Sequence, residues 1–474
     1  MYERIQRFTD EELNKLHDAT VRVFKEIGVA FRDEPEALDI FKAHGVKVDG
    51  ETVFIDEKHL QQALETAPSQ FTIAGRDPKK SVTIGGDNLV LCPGYGCALM
   101  VTEKGEQRKG LVEDYQNLCK LVQTSKVINM NGMIMIEPTD VPPEVAYLDM
   151  LYSNIVLCDK PFLGNGETRQ AAIDSIEMAG IAWGGKDKIK DKPVTMPIIS
   201  SLSPLQYTGH MTGSVIEYAR HGQAILFGLL VMAGSTGPVT LAGTLVQQNA
   251  EMLAGVVLAQ LVKPGVPVVY GGTSSISDMR TGALSVGAPE MAIMQNPQAQ
   301  IARFYGLPCR GSGGLTDTHF PDIQAGIEST LGLMSTILSG SNFILHAVGI
   351  MESYLGMSYE KFLVDEEVCG MLIRMLRPVE ISDESIQFDA MKEVGIGGEF
   401  LTHQKTLERC HTEFFLPELA TREDYDTWRE TGRKTMDQRA TQRLAQRLAA
   451  YEKPNIDPSI ERDLAQYMAK RKGM

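Results

Sequence analysis

The residues with the clearest chemical potential lie in a glycine-rich stretch near the centre of the chain. Residues 306–326, GLPCRGSGGLTDTHFPDIQAG, place Arg310, Asp317 and His319 among closely spaced glycines. A guanidinium at the end of a predicted strand is a planar fork of donors that suits a carboxylate or a phosphate. The alternative is an internal ion pair, because an arginine with neither partner is costly to bury. Its position favours Arg310 as a ligand-binding residue.

A histidine inside an apolar run is the second candidate. His346 interrupts residues 343–348, FILHAV, and the segment GIMESYLG that follows supplies Glu352 and Tyr354. A histidine on an apolar strand is more often a packed core residue than a functional one, so both interpretations stay open for His346. The polar and aromatic residues that collect at this strand end favour a site.

Aromatic residues form a third group. Tyr95 lies in CPGYGC, where the flanking glycines leave its ring accessible. A quaternary ammonium has no N–H to donate, so proteins recognise it chiefly with aromatic faces. Tyr95, Phe343 and Tyr354 can form such a surface, although ordinary packing explains Phe343 at least as well.

Other motifs argue against metal and nucleotide chemistry. Asp317, His319 and Asp322 look superficially like metal ligands, but HExxH and the other zinc spacings are absent. Cys92 and Cys97 have no second pair, and the glycine runs match neither a phosphate-binding loop nor a dinucleotide fingerprint. We therefore expect no bound metal.

The pattern that must position these residues is an alternation of apolar strands with helical segments, which is typical of parallel β/α units. Seven candidate strands lie at 129–136, 162–165, 197–202, 224–231, 267–272, 308–313 and 343–348, and an eighth at 89–95. Eight such units close a (β/α)8 TIM barrel, whose chemistry resides at the carboxyl ends of the strands. We predict a cap region of helices and short strands at 1–110, the barrel at 111–380 together with the strand at 89–95, and a helical region at 381–474.

Composition narrows the classes of function. The chain has 474 residues with 43% hydrophobic and 23% charged residues, which is ordinary globular usage, and its net charge is −15. An acidic protein is poorly suited to nucleic acid or to an anionic membrane. Charges throughout the first sixteen residues argue against a signal peptide. The cysteines are odd in number and scattered along the chain, which favours reduced thiols. We expect a cytoplasmic protein with no nucleic-acid or membrane partner, assembled as a homo-oligomer.

An ordered series of segments resembles the trimethylamine:corrinoid methyltransferase family along nearly the whole chain. It includes TDEELNKLHDATVRVFKEIGV, GPVTLAGTLVQQNAE, LAQLVKPG, SVGAPE, FYGLP and VGIGGEFL. In the frame of the central glycine-rich stretch, Leu315 occupies the position that aligns with pyrrolysine in the trimethylamine enzymes. The chain is thus similar to the subgroup that lacks pyrrolysine, whose characterised members demethylate quaternary amines such as glycine betaine.

The resemblance implies a barrel that transfers a methyl group from a quaternary nitrogen to Co(I) of a separate, cognate corrinoid protein, with no cofactor of its own. It implies that Arg310 holds a betaine carboxylate, that His346 assists it, and that Tyr95 and Tyr354 surround the ammonium. No protein nucleophile is required, and Leu315 suits a dry wall beside the methyl group. Because Tyr354 stands where betaine-type members have phenylalanine, the particular betaine stays open among glycine betaine and proline betaine first, then carnitine and butyrobetaine.

Two other functions remain open from the sequence. A non-catalytic barrel that binds or senses betaine would keep the aromatic residues and Arg310 but would need no open face for a corrinoid protein. A metal-dependent barrel hydrolase would use Asp317, His319 and His346 as its polar residues.

Overall fold

Short parallel strands and long helices alternate through the middle of the chain. The computed structural model describes residues 4–473. Its strands are β1 (Val29–Phe31), β2 (Lys47–Asp49), β3 (Thr52–Phe54), β4 (Gln70–Ile73), β5 (Val82–Gly85), β6 (Val90–Leu91), β7 (Leu99–Val101), β8 (Gln107–Lys109), β9 (Phe162–Gly164), β10 (Thr195–Ile199), β11 (Gln206–Tyr207), β12 (Ile225–Phe227), β13 (Met232–Ala233), β14 (Val268–Tyr270), β15 (Ser275–Ser277), β16 (Leu284–Ser285), β17 (Arg310–Gly311), β18 (Phe343–Ile344), β19 (Ile350–Met351) and β20 (Gly356–Met357).

The helices enclose these strands. They are α1 (Asp10–Arg22), α2 (Pro35–Ala43), α3 (Glu57–Thr66), α4 (Val112–Thr124), α5 (Ala146–Leu157), α6 (Arg169–Ala182), α7 (Gly209–Arg220), α8 (Leu241–Val262), α9 (Pro289–Phe304), α10 (Ile323–Leu338), α11 (Tyr359–Leu376), α12 (Asp383–Ile386), α13 (Phe388–Val394), α14 (Gln404–Glu413), α15 (Tyr425–Glu430), α16 (Met436–Ala449) and α17 (Pro458–Lys472). A π-helical turn at Val23–Ile27 extends α1, and short 3-10 turns lie at Pro78–Lys80, Lys186–Lys188 and Glu352–Tyr354.

The central strands close into a ring in which each strand lies beside its neighbours in the sequence. Strands β9, β10, β12 and β14 form one parallel sheet, and β6, β18 and β17 form another. A parallel bridge between Tyr270 and Cys309 joins the two sheets on one side. On the other side Asn131 bridges Phe162, and the amide of Asn129 donates to the carbonyl of Leu91 over 2.9 Å. With helices α4 to α11 alternating with the strands, this confirms the predicted (β/α)8 TIM barrel.

The predicted strand at 129–136 is wrong as a regular element, because only the bridge at Asn131 remains of it. The carbonyl of Gly132, which a longer strand would offer to its neighbour, accepts hydrogen bonds from Asn154 Nδ2 at 2.6 Å and from the hydroxyl of Tyr115 at 3.2 Å. Side chains from the surrounding helices have replaced strand pairing at this position.

The other barrel strands are shorter at their carboxyl ends than their apolar runs predict. The predicted strand at 343–348 ends at Ile344, and the predicted strand at 308–313 covers only Arg310 and Gly311. His346 adopts φ +64°, a left-handed conformation that no strand accommodates. The apolar runs therefore continue into the loops that carry the candidate site.

The N-terminal region begins as the sequence predicts. Thr9 caps α1 in a capping box with Glu12, and Gly28 ends the π-helical turn with φ +82°. Strand β1 pairs with β3 and also runs parallel to β11, which follows barrel strand β10. This pairing attaches the N-terminal strands to the barrel wall.

The C-terminal helices α16 and α17 pack along the barrel helices. Asp174 on α6 is fully buried and accepts hydrogen bonds from Tyr467 at 2.7 Å and from Arg471 at 2.9 Å, both on α17. Arg447 on α16 bonds the carbonyl of Leu121 on α4 at 2.7 Å. We propose the division into residues 1–110, a barrel at 111–380 that includes the strand at 89–95, and residues 381–474 as the organisation of the chain.

Two further features concern the thiols of the protein and its helices. The seven cysteines are all unpaired. In the part of the chain that the structure describes, no helix combines the length and the apolar character that a membrane crossing requires.

Candidate functional site

The barrel turns Arg310 toward its interior. In strand β17 successive side chains point to opposite faces, and a Cβ on the next residue, Gly311, would lie 2.2 Å from Thr336 on helix α10. Gly311 therefore faces the surrounding helices. Arg310, with 1% of its surface exposed, faces the barrel interior.

The Arg310 guanidinium has few partners. One of its terminal nitrogens, Nη2, lies 3.0 Å from Nδ1 of His346, while Nε and Nη1 are buried and have no hydrogen-bond partner among the described residues. Within residues 4–473 no acidic side chain forms an ion pair with it. Burial lowers the pKa of Arg310 to about 10, so the group is still a cation at neutral pH. A buried cation with two free donor groups is suited to a carboxylate.

His346 is a neutral acceptor in this arrangement. Burial, and secondly the charge of Arg310, hold the pKa of His346 well below its ordinary value. Because Arg310 can only donate, Nδ1 of His346 must accept, which leaves the ring proton on Nε2. Its left-handed backbone lies against the loop after β17, where the amide of Gly314 donates to the His346 carbonyl over 2.8 Å.

Tyr354 covers the same pair of residues. Its ring lies edge-on to the ring of His346 with 4.9 Å between centroids. Burial raises the pKa of Tyr354 to about 12, against an opposing effect of Arg310, so the phenol stays neutral. Tyr354 ends a run of left-handed residues that begins at Glu352 (φ +52°). Backbone strain of this kind persists where the surrounding structure enforces it, and it clusters at functional sites.

Hydrogen bonds from the glycine-rich loop enforce this conformation. Asp317 accepts from the hydroxyl of Ser353 at 2.6 Å and from the backbone amides of Val286 and Gly287. The amide of Ser353 donates to the carbonyl of Thr316 at 3.1 Å. Asp317 therefore holds three loops together at the rim of the site.

Tyr95 lies on the loop after β6 and is half-buried. The amide of Gly94 donates to the carbonyl of Val348 over 3.1 Å, which brings this loop beside the one that carries His346. Burial raises the pKa of Tyr95 well above its ordinary value, and the second cause is the negative charge of Glu167. Burial also raises the pKa of Glu167, which follows strand β9 and hydrogen-bonds Asn165 at 3.2 Å.

Leu315 and Phe343 are both completely buried. Leu315 lies in the loop after β17, directly after glycines that press on the His346 backbone: a Cβ on Gly313 would be 2.0 Å from the His346 carbonyl oxygen. Phe343 pairs in register with Arg310 across β17 and β18, so both side chains project into the barrel. Among the described residues Phe343 takes part in no aromatic pair, whereas His346 pairs with Tyr354.

A buried ion pair that sequence reasoning missed supports the loops that carry these residues. Nζ of Lys361 donates to the carbonyl of Gly314 at 2.7 Å, to Ser329 Oγ at 2.8 Å and to Asp365 at 2.6 Å. Asp365 also accepts from the amide of Gly349 at 2.8 Å. The available signal was a lysine and an aspartate four residues apart in an otherwise apolar helical segment.

The residues considered for a metal are engaged separately. His319 is largely exposed and pairs with Glu352 at 3.0 Å, while Asp317 binds backbone amides and His346 binds Arg310. Between residues 4 and 473 no group of three histidine, cysteine or acidic side chains is placed to hold a metal ion. This geometry does not favour the metal-dependent hydrolase.

Comparison with solved structures gives the same architecture. The monomethylamine methyltransferase of Methanosarcina barkeri aligns with a TM-score of 0.55 at 12% identity, over 95% of this chain and 90% of that one. At this identity the likeness is one of fold.

Comparison of sequences identifies relatives of much higher identity. The glycine betaine methyltransferase of Desulfitobacterium hafniense (strain Y51) is 45% identical over 98% of this chain and 96% of its own length. The proline betaine:corrinoid methyltransferase of Eubacterium limosum is 37% identical over 89% of this chain and 88% of its own. The L-carnitine:corrinoid methyltransferase of the same organism is 32% identical over 96% and 95%. Because the family model for trimethylamine methyltransferase (MTTB) also matches residues 1–474, the chain belongs to that family.

Proposed function

We propose that the protein transfers a methyl group from a carboxylated quaternary amine to Co(I) of a separate corrinoid protein. The observation that carries this proposal is Arg310, a buried cation inside the barrel with two donor nitrogens that no group in residues 4–473 engages. Relatives named for glycine betaine, proline betaine and L-carnitine support it, since each of these compounds joins a quaternary nitrogen to a carboxylate. Glycine betaine and proline betaine are the first candidates.

The charges around the barrel mouth suggest an orientation for the substrate. Arg310 binds the carboxylate, and neutral His346 fixes the guanidinium through the contact at 3.0 Å. Tyr95 and Tyr354 offer their rings to the ammonium. Glu167, whose charge already acts on Tyr95, lies on the side that the cation would occupy. Phe343 contributes apolar surface beside Arg310.

The chemistry needs little from the protein beyond placement. The electron pair of Co(I) forms the new bond to the methyl carbon while the carbon–nitrogen bond breaks, and the pair from that bond remains on nitrogen. The products are methyl-Co(III) and a neutral tertiary amine, so no proton is transferred. The protein aligns the methyl group and excludes water, and Leu315 supplies a buried apolar wall for this purpose. The corrinoid arrives on its partner protein as a second substrate.

The reaction bears on the location of the protein in the cell. Co(I) is strongly reducing and survives only in a reducing compartment, which fits seven unpaired cysteines and supports a cytoplasmic protein.

We further propose a homo-oligomer, because residues 379–416 expose large apolar side chains such as Val379, Ile381 and Leu401. Light scattering on the purified protein would measure its mass directly.

The decisive experiment mixes the protein with a Co(I) corrinoid protein and one candidate substrate at a time. Glycine betaine should convert the Co(I) spectrum to that of methyl-Co(III) and release one dimethylglycine per cobalt. Choline, which lacks the carboxylate, should react poorly. Tight binding of betaine without methyl-cobalt formation, using corrinoid proteins that accept methyl groups from related enzymes, would instead support a sensing protein.

A further inference from the structure

Strand pairing stops beside Arg310 at the seam between β14 and β17. The last regular bond runs from the amide of Tyr270 to the carbonyl of Pro308 at 2.9 Å. The next amide that a parallel ladder would offer to the Arg310 carbonyl is that of Gly272, and it donates to the side chain of Gln298 instead. A Cβ on Gly271 would lie 1.9 Å from the carbonyl oxygen of Arg310, so the backbones of these two segments are in direct contact here. The Arg310 carbonyl therefore receives no bond from the neighbouring strand.

A buried glutamine takes the place of the missing pairing. Gln298 on α9 is 2% exposed, and its Nε2 donates to the Arg310 carbonyl at 2.7 Å. Its Oε1 accepts from the amide of Gly272 at 2.7 Å and from Nε2 of Gln248 at 2.9 Å. A side-chain amide both donates and accepts, so it can bond the carbonyl on one side of the seam and the backbone amide on the other.

Further amides extend this arrangement. Gln248 lies in the segment GPVTLAGTLVQQNAE and accepts from the hydroxyl of Ser274 as well as bonding Gln298. Gln295, one turn before Gln298, accepts from the amide of Ser312 at 2.8 Å. Two side-chain amides from helix α9 thus hold the backbone at Arg310 and at Ser312, two residues further along the chain.

We propose that Gln298 is a positioning residue that sets the place of the Arg310 guanidinium and thereby the preference for a carboxylated substrate. The proposal rests on the function proposed above. Without Gln298 the buried amide of Gly272 loses its partner and the Arg310 carbonyl keeps only the weak thiol donor of Cys309 at 3.4 Å, so β17 must shift to find others. A displacement of 1 Å is enough to degrade a bidentate contact.

The chain offers a matched control. Gln300 on the same helix makes the same kinds of bonds: its Oε1 accepts from the amides of Arg7 and Phe8 at 2.6 and 2.9 Å, and its Nε2 donates to the carbonyl of Phe8 at 3.0 Å. It is also buried. Gln300 secures the N-terminal segment and has no bond to the strand that carries Arg310, so its replacement reproduces the loss of stability alone.

The test compares Gln298→Met with Gln300→Met by the ratio of kcat/KM for glycine betaine to that for tetramethylammonium, which lacks the carboxylate. The fraction of folded enzyme cancels in this ratio. Gln298→Met should lower the ratio by about tenfold or more through a higher KM for betaine, while Gln300→Met keeps the wild-type ratio. Gln298→Asn, which keeps the amide but is one methylene shorter, should lower the ratio less and serves if the methionine variant does not fold.

A wild-type ratio in both Gln298 variants would overturn the proposal, as would an equal fall in Gln300→Met. If the wild-type protein demethylates neither compound, the proposed function fails first and the role of Gln298 in selectivity fails with it. If the wild-type protein demethylates both compounds equally well, Arg310 does not select the carboxylate, and Gln298 cannot set that preference.

Discussion

Two buried cations in this protein, Lys361 and Arg310, differ in how many hydrogen-bond partners surround them. Lys361 is 1% exposed, and all three of its donor hydrogens are engaged, by Gly314, Ser329 and Asp365. Arg310 is equally buried, yet within residues 4–473 one neutral histidine is the only hydrogen-bond partner of its guanidinium. Burying an unpaired charge is costly, so proteins keep one only where something else pairs with it. Lys361 therefore stabilises the fold, and the free donors of Arg310 support our proposal that it binds a ligand.

Removing the cation that serves the fold should have the largest effect. Lys361→Met leaves the Asp365 carboxylate buried without a counter-charge, and we expect the free energy of unfolding to fall by about 3–5 kcal/mol. Chemical denaturation measures this value. The double variant Lys361→Met, Asp365→Leu is the control and should recover much of the loss, because it removes both charges. A single variant as stable as wild type would mean that the pair does not support the loops.

Removing the cation that serves a ligand should act in the opposite direction. Arg310→Met takes an unpaired charge out of the barrel, and the free energy of unfolding without substrate should stay the same or rise by about 1–2 kcal/mol. Denaturation under the same conditions provides the measurement. A loss as large as that of Lys361→Met would show that Arg310 is a structural residue after all.

The neighbour of Arg310 predicts a pH effect. The pKa of His346 is well below its ordinary value of 6.5 in the folded protein, so only the unfolded chain binds this proton as the pH falls through 6.5. The folded state should therefore lose about 1 kcal/mol of stability from this group between pH 7 and pH 5.5. His346→Gln, which can still accept from Arg310, should be less sensitive to pH by that amount. Identical pH dependence in both proteins would contradict a neutral, buried His346.

The smallest effect is expected on the opposite side of the site. Glu167→Gln removes a charge that attracts the ammonium in the ground state, but this attraction weakens as the nitrogen becomes neutral during transfer. KM for glycine betaine should rise about two- to fivefold while kcat stays constant or increases. Steady-state kinetics separate the two parameters. A fall in kcat with unchanged KM would assign Glu167 to another role.

The sequence predicted the barrel because apolar strands and helical segments alternate at a regular spacing, and each strand is buried on both faces. It placed Arg310 on a barrel strand, where the structure has it, but it put His346 inside a strand at 343–348, whereas His346 lies in the loop after β18. It failed at 129–136, where Asn154 and Tyr115 from two helices bind the carbonyl of Gly132. No local pattern reveals that competition.

The roles of Gln298 and Lys361 could not be predicted from the sequence for the same reason. Gln298 is separated from Arg310 by twelve residues and from Gln248 by fifty, and nothing in its neighbourhood distinguishes it from other helical glutamines. Lys361 resembles any lysine that pairs with an aspartate one turn away. Their importance arises from burial and from contacts made only in the folded barrel.

The most direct test of the account is methyl transfer by Arg310→Ala. With glycine betaine and a Co(I) corrinoid protein, the variant should lose about 2–4 kcal/mol of transition-state stabilisation, or about 30- to 700-fold in kcat/KM for methyl-cobalt formation. Its rate with tetramethylammonium should stay close to that of the wild type. Equal use of glycine betaine by the variant and the wild type would contradict the assignment of Arg310 to the carboxylate.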